Sequence, residues 1–547
     1  MKLNKYIALF SSVLVLASCD LDKFPESSTI TEDQKNEVAE LLPERLQGDL
    51  GGLKAGLIAY KTLGSSSNHF DYGFPAVCLI YDQGGQDMVS QVHGYNWFAS
   101  SLQFQDRIKT SDFTSLIWNI YYKQIKTAND CLLIINKLYP TENDKDAQTL
   151  YYLAQALASR AFAYMQLAQT YQFTYIGHEN EKAVPLVLET MTEEEKTNNP
   201  RATVQAIYAQ IMKDLNMAVS YLTISDEAGI APADKAEISL YAAFGLRARA
   251  NLIMGNWAEA AKDAENAYSD ASPYTMKEVS MPAFNSINAN SWIWGSIITE
   301  ENDVVQTGIV NWPSHLCSLT GNGYTTGTGV SAAYRAISST LWDRIPNTDI
   351  RKGWWVDGEL NSPVLVNAYG ATYAKYIATG AFGNGAFAPY TNVKFGPEGD
   401  ELLNSTNAQD WPLMRAEEMI LIQAEALARA NNLPDAKALL TQFVSMFRDP
   451  EYICKATNLD EFIDEIWFQR RIELWGEGFS LFDVLRLNKP IVRIGSSFTS
   501  NCIYADIEPN DPILIYMIPE SEIEANNGIG DSDNNTSAIP PTPITAE

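Results

Sequence analysis

The chain has 547 residues, 46% hydrophobic and 19% charged, enough for one very large or two to three ordinary globular domains. Its formal net charge of −28 argues against nucleic acid and against unassisted binding to anionic lipid, because both need basic patches, and it disfavours polyanionic ligands. Beyond the N-terminal segment no apolar run approaches the ~18 residues that a membrane span needs.

Lys2 and Lys5 precede an apolar stretch of twelve residues, Tyr6 to Ala17. Twelve helical residues rise about 18 Å against a hydrocarbon core of roughly 30 Å, so the stretch cannot span a bilayer and reads as a secretory h-region. It closes on Leu16-Ala17-Ser18-Cys19, which resembles the bacterial lipobox, in which the cysteine is acylated and becomes the mature N-terminus. On that reading residues 1–18 are removed and Cys19 carries the lipid, each buried CH₂ contributing about 0.8 kcal/mol to membrane anchoring. A buried cysteine in an N-terminal helix is the bland alternative, and the Lys-flanked apolar run at residue 1 disfavours it. Asp20, Asp22 and Lys23 read either as a polar tether or as a lipoprotein surface-export signal.

The stretch "HFDYGFPAVCLIYDQGGQDMVSQVHGYNW" follows, irregular in pattern and carrying Asp71, Tyr72, Asp87, Tyr95 and Trp97. Helical blocks come next. Phe113 to Leu138 places Leu116, Ile117, Ile120, Tyr121, Ile125, Ala128, Leu132 and Ile135 at helical spacing. Asp146 to Tyr171 repeats the pattern, as do Thr203 to Leu222 and Glu237 to Met254, with "KAVPLVLET" reading as an extended segment between them.

An internal echo then appears. Gly255, Trp257, Ala260, Ala264 and Ala267 stand at the same offsets as Asn431, Leu433, Ala436, Leu440 and Phe443, with Ala248 and Ala424 seven residues before each turn. This resembles the tetratricopeptide repeat, where small residues let paired helices approach. Copies 176 residues apart do not make a continuous solenoid, so the helices must pack around a large insertion. That insertion, residues 272–411, is rich in Gly, Asn, Ser and Thr and carries Trp292, Trp294, Trp312, Trp342, Trp354, Trp355 and Trp411. So long a loop without structure is improbable, so short strands and packed loops are expected, on which binding residues usually sit. Trp294 in "WIWGSII" reads as a buried strand and Trp342 as part of a helix. The run Gly321 to Gly329 lacks the Lys and following helix of a phosphate loop and reads as a flexible surface loop. Asp531 to Asn535 begins like a calcium loop, but Thr536 and Thr542 stand where Gly and Glu are needed, so a disordered tail over 526–547 is expected.

Chemistry-bearing motifs are sparse. Cys78, Cys131, Cys317, Cys454 and Cys502 lie at least 48 residues apart, which excludes CxxC signatures and favours buried core thiols without a disulfide framework. His69, His93, His178 and His315 form no close ligand pair, and neither GxSxG nor Walker A occurs. No metal, cofactor or catalytic residue is expected.

The stretch "FIDEIWFQRRIELWGEGFSLFDVLRLNKPI" is the most informative. Arg470 and Glu473 stand three apart, Glu473 and Glu477 four apart, and Asp483 and Arg486 three apart, spacings at which helical side chains meet. Taken alone, two carboxylates beside an arginine read either as a glycosidase site or, with more weight, as a structural ion-pair network. The pattern Arg470-x-x-Glu473-Leu474-x-x-Glu477-Gly478 followed by Asp483-x-x-Arg486 resembles the SusD/RagB family of outer-membrane glycan-binding lipoproteins. Matching segments run in the family's order: the lipobox at Cys19; Trp118, Tyr122, Ile125, Ala128 and Asn129; Arg160, Ala161 and Tyr164; Arg415, Glu418 and Glu425; and Pro519, Glu522, Ile523 and Asn526.

The resemblance implies a mostly α fold in which about four tetratricopeptide-like helix pairs cradle a large irregular, loop-rich lobe with short strands. Residues 19–547 would form one SusD-like domain: a helical part at 19–271, the lobe at 272–411 and a second helical part at 412–525. It implies non-catalytic capture of an oligo- or polysaccharide at the cell surface, with the outer-membrane protein lipid-anchored and seated on a TonB-dependent transporter of the SusC type. A surface glycosidase, a peptide-binding member and a pure protein-interaction scaffold are the alternatives. The family's sugar contacts follow no shared motif, but its ligands tend to lie where early loops meet the irregular lobe. The candidate glycan-binding residues are therefore Asp71, Tyr72, Asp87, Tyr95 and Trp97 with Trp292, Trp312 and Tyr324. Trp97 and Trp312 lead, because Gly, Asn and Pro surround them.

Overall fold

The computed structural model describes residues 46–544 apart from 65–67, 326–332, 383–384, 505–506 and 537–538, so Cys19 and the leader lie outside the described residues. Residues 47–547 form one compact unit. Helices α1 (Leu46–Gly56) and α2 (Phe74–Gln83) precede the long pair α3 (Asp112–Leu138) and α4 (Ala147–Tyr171). Side-chain caps set where the pair starts: Ser111 accepts from Phe113 N, and Asp146 accepts from Thr149 N. Then come α5 (Val204–Glu227), α6 (Leu240–Met254) and α7 (Trp257–Ala267). Helix α6 starts later than its apolar pattern because Ser239 caps it by accepting from Ala242 N, while Ile238 exchanges hydrogen bonds with the Gln155 amide. "KAVPLVLET" opens as β2 (Lys182–Pro185), antiparallel to β3 (Arg201–Thr203).

After the lobe the scaffold resumes with α8 (Ala416–Arg429), α9 (Leu433–Phe447), α10 (Leu459–Glu473) and α11 (Ser480–Arg486). Successive helices pack in a chain from α3 through α9, and α7 packs on α8 although 148 residues separate them. The two echoing repeats are thus neighbours in space. Their matched turn residues share the left-handed backbone, φ 81° at Gly255 and 64° at Asn431, the residue types that tolerate it best. The lobe leaves and re-enters the scaffold at one place, because β4 (Trp292–Ser296) pairs antiparallel with β6 (Trp411–Arg415) in the register Trp292↔Arg415 and Ser296↔Trp411. Two shorter strands, β1 (Met88–Val89) and β5 (Ala336–Ile337), tie the lobe to the early loops.

The lobe has its own aromatic core. Trp312 and Trp411 meet edge to face at 5.1 Å, and Phe395 stacks on Trp411 at 6.4 Å. Buried Lys394 lies over Phe284, Trp354 and Phe395 and donates to Glu473 O, Trp475 O and Glu477 Oε1.

The motif residues lock this frame. Arg160 makes a bidentate pair with Asp214 and donates to Asn129 Oδ1, joining α3, α4 and α5. Arg249 pairs with Glu418 through two bonds of 2.7 and 2.6 Å, joining α6 to α8. Glu473 does not pair with Arg470 as its spacing predicts. Arg448, Arg351 and Arg415 converge on it from elsewhere in the chain, while Arg470 turns to Asp483, 2.7 Å away. Arg415 also grips Glu477, and Arg486 bridges Asp483 and Glu425. Helix geometry allows the local pair, but Glu473 faces the junction of lobe and scaffold, where three buried guanidinium groups, one from the lobe and two from beyond it, need a counter-charge.

The C-terminal segment runs back over the N-terminal half. Asp82 accepts from Gly478 N and Ser480 N, buried Arg493 donates to Gln83 O and Gly85 O, and Asn526 exchanges bonds with the Asn199 backbone. Within the tail expected to be disordered, residues up to Asn535 are held, since the Asn535 amide donates to Tyr171 O and Tyr516 O and Lys109 reaches Asp531 at 2.8 Å. Its polar side chains satisfy backbone carbonyls of the scaffold, which composition does not reveal. The described part of the glycine-rich run, Gly321 to Thr325, also departs from a free loop, since a Cβ on Gly323 would meet Ser314 Cα at 2.7 Å and Tyr324 N donates to Ser314 O. All five described cysteines are buried.

Gly478 marks the tightest of these contacts. Its φ is 88°, and a Cβ there would sit 2.7 to 2.8 Å from Cys78 Cβ, Sγ and Cα. Gly478→Ala is expected to cost roughly 2–4 kcal/mol through overpacking and left-handed strain. Denaturant unfolding checks this, and a midpoint unchanged from the parent would contradict it.

Candidate functional site

Rings from the early loops and from the lobe converge in one aromatic cluster. His69 and Tyr72 stand in the turn before α2, and Gly73 (φ 86°) allows that turn by passing against Leu57 O where a Cβ would sit 2.5 Å away. Tyr95, Trp97 and Phe98 come from the next loop. His315 comes from a short helix, Trp312–Leu316, and Tyr324 from the turn beyond it.

His69 stacks on Trp97 with centroids 4.5 Å apart. Tyr324 meets His69, Tyr95 and Trp97 at 5.9, 5.7 and 6.5 Å, and its hydroxyl bonds His69 Nδ1. Beneath lies His315, 4.6 Å from Tyr324 and stacked on Tyr72 at 5.2 Å. Exposure grades outward: His315 is fully buried, Tyr324 is 6% exposed, Trp97 36% and Tyr95 51%. A buried base carries rings whose outer members meet solvent.

Polar groups fix the Trp97 loop. Asn96 donates to Gln91 O, and its Oδ1 accepts from Phe98 N and from Arg335 Nη2. Buried Arg335 also donates to Ser90 Oγ and to the carbonyls of Ala333 and Tyr334, and burial lowers its pKa to about 10. Lobe and loop are thereby held to one another under the exposed rings. His315 Nε2 faces His69 O at 2.9 Å and donates to it, leaving Nδ1 unprotonated without a partner. Burial, reinforced by the Arg335 charge, pushes the His315 pKa well below the ordinary imidazole value, so the base of the cluster stays neutral. Burial lowers the pKa of His69 as well.

Of the eight residues read from sequence, Tyr72, Tyr95, Trp97 and Tyr324 meet here. Asp71 lies next to Tyr72, but its side chain turns inward to accept from Leu63 N. Asp87 is occupied by Arg471, which binds both its oxygens. Trp292 and Trp312 are core residues, each at most 2% exposed, and Trp312 Nε1 donates to Gln409 O. The correction at Trp312 has a physical cause. Asn311 and Pro313 are the N-cap and first-turn residues of a short buried helix, with Asn311 Oδ1 accepting from Ser314 N, so they mark a helix start rather than an open loop. Sequence reasoning missed His69, Asn96, His315 and Arg335. Two of only four histidines in this one cluster were the available signal.

The paired carboxylates of the glycosidase reading lie elsewhere. Glu473 is fully buried and Glu477 is 7% exposed, and both are saturated by arginine and lysine. Among the described residues no group of three His, Cys, Asp or Glu is placed to hold a metal ion, and no helix is long and apolar enough to cross a membrane.

Two family models match in succession: one described as starch-binding associating with outer membrane, over residues 82–252, and one described as SusD family, over residues 344–537. No curated protein matches the chain. Among solved structures, a SusD-like carbohydrate binding protein from Bacteroides vulgatus superposes with a TM-score of 0.70 at 23% identity, covering 90% of this chain and 97% of that one. A SusD superfamily protein from Bacteroides thetaiotaomicron gives 0.68 at 19% identity, covering 90% and 99%. Surface glycan-binding protein A from Bacteroides thetaiotaomicron gives 0.62 at 17% identity, again covering 90% and 99%. The two models fall on the segments whose motif residues lock the frame, and the mostly α architecture is shared along nearly the whole chain: this chain belongs to the SusD/RagB family.

Proposed function

We propose that the protein captures a neutral oligo- or polysaccharide on the cluster of Tyr95, Trp97, Tyr324 and His69 and passes it, without catalysis, to a TonB-dependent transporter of the SusC type. The observation that carries this reading is the outward gradient of exposure in that cluster. A sugar ring presents apolar C–H faces and a rim of hydroxyls, and partly exposed tryptophan and tyrosine rings on a rigid base match both. The likeness to proteins named for carbohydrate and glycan binding supports the ligand class. The net charge of −28 favours a neutral glycan over a polyanion. A glycan array probed with the full-length chain tests the proposal, with binding to at least one neutral glycan expected. An array blank for glycans beside capture of oligopeptides would replace it with the peptide-binding reading.

The same proposal places the protein at the outer membrane, facing outward and anchored through Cys19 as a single functional domain. Cys19→Ala is expected to shift the protein from the membrane to the soluble fraction, because one site carries all the acyl chains. Fractionation with the outer membrane after that substitution would remove the anchor.

A further inference from the structure

Where α4, α6, α8, α10 and α11 meet, the scaffold leaves a cavity of about 50 Å³. One water needs about 10–15 Å³, so a small ion with a water or two fits, whereas sites for larger organic ligands run to about 300–1,000 Å³. The wall carries three guanidinium groups, Arg249, Arg470 and Arg486, and two carboxylates, Glu418 and Asp483, with apolar side chains between them.

The carboxylates of this wall are saturated and the arginines are not. Glu418 is held through both oxygens by Arg249, at 2.7 and 2.6 Å. Asp483 accepts from Arg470 Nε on one oxygen at 2.7 Å and from Arg486 Nε on the other at 2.8 Å. Arg470 Nη1 and Arg486 Nη2 are then left buried without a hydrogen-bond partner, on side chains 3% and 9% exposed. Buried polar groups are ordinarily satisfied, and a guanidinium can be satisfied only by an acceptor.

The surroundings do not supply the missing charge. Behind the wall Glu425 Oε1 accepts from Arg429 Nε at 2.9 Å and from Arg486 Nη1 at 2.7 Å, while its Oε2 has no donor. Against the upward push of burial, Arg486 brings the Glu425 carboxyl down to about 2, so it is already ionised. Arg249, Arg429, Arg470 and Arg486 therefore stand against Glu418, Glu425 and Asp483, four positive charges against three negative. The Phe479 ring lies 5.5 Å from the Arg249 guanidinium and 5.6 Å from that of Arg470, so an apolar group rather than solvent covers the excess charge. An uncompensated charge in such surroundings is costly.

We propose that this cavity binds one small monovalent anion of the chloride class, held by Arg470 Nη1 and Arg486 Nη2. The anion supplies the fourth negative charge and ties α10 and α11 to the helices around them. Water would accept the same hydrogens but leave the charge uncompensated. The site is independent of the aromatic cluster and of any glycan.

Two measurements on the full-length chain in a nonionic detergent test the proposal. Thermal unfolding is followed in sodium chloride and in sodium gluconate at equal ionic strength, so that screening is the same in both. The midpoint should rise with the logarithm of chloride concentration, as for a ligand of the folded state, and stay flat in gluconate, which is too large to enter. The net charge of −28 disfavours loose anion binding at the surface, so a chloride-specific rise reports a built site. Arg486→Gln should lower the midpoint whatever fills the cavity, but it should also abolish the difference between the two salts. Anomalous diffraction from crystals of the parent soaked in bromide should place a bromide between Arg470 and Arg486. If Arg486→Gln does not fold, the bromide position and the salt dependence of the parent decide. No anomalous peak in the cavity overturns the proposal, as does a chloride effect that survives in folded Arg486→Gln. A peak without any chloride effect on the midpoint means an adventitious ion only, and overturns it as well.

Discussion

Replacing Glu473 with Gln is expected to lower the stability of the folded chain by roughly 3–5 kcal/mol, the usual cost of breaking a buried ion pair on one side. Glu473 is the common counter-charge of Arg351, Arg415 and Arg448, all four being at most 1% exposed at the side chain. A glutamine keeps the shape and one acceptor but leaves three guanidinium groups sharing less negative charge. The pH dependence follows the same logic. Burial pushes both Glu473 and Glu425 upward, but Arg448 overrides it at Glu473, and Arg486 brings Glu425 down to about 2. Both folded carboxyls therefore titrate below their unfolded value of 4.5. Their contribution is present above that value and is lost as pH falls through the folded range. Asp82 acts in the opposite direction, since burial raises its carboxyl to about 7, and its contribution is lost as pH rises from 3.8 towards that value. Thermal unfolding followed between pH 3 and pH 8 should show both limbs, and Glu473→Gln should flatten the acid limb while sparing the other. A Glu473→Gln protein as stable as the parent would show that the arginines are neutralised by something else.

Trp97→Ala should weaken binding of the captured glycan by about 1–3 kcal/mol, or roughly 5- to 150-fold, the range of a central aromatic anchor. Trp97 combines the right exposure with a rigid support, being stacked on His69 and carried on a loop that Asn96 and Arg335 hold from below. The substitution removes surface area without opening the core, so the variant should melt close to the parent. Trp312→Ala is the instructive contrast. It should lose about 3–5 kcal/mol of stability through a core cavity, and any loss of binding would follow from that. Equal affinity of parent and folded Trp97→Ala for the glycan would remove the aromatic cluster as its site.

The helices were legible because their apolar residues recur at helical spacing and their caps are ordinary: Ser111, Asp146 and Thr203 stand one residue outside the observed ends. The echo between Gly255 and Asn431 was legible for the same local reason, a turn that needs a left-handed residue. What sequence could not supply was depth. Trp97 and Trp312 both sit among Asn, Gly or Pro, yet one lies at the surface and the other beneath Phe395 and Trp411. The difference arises from Phe395, Gln409 and Trp411, which pack on or bond to Trp312 from far along the chain, contacts that no local window contains. Glu473 failed locally in the same way, since its partners approach from positions 351, 415 and 448.

The return of the C-terminal segment over the N-terminal half also governs how the chain reaches this state. The bonds from Gly478 to Asp82 and from Arg493 to Gly85 span 396 and 408 residues, so each closes an enormous loop before any local gain offsets the lost chain entropy. Contacts of that range place folding at the slow end of the scale. Until residue 493 has been synthesised, the carbonyls of Gln83 and Gly85 lack their guanidinium donor and the early loops lack their floor. The nascent chain therefore assembles only after its far end has arrived.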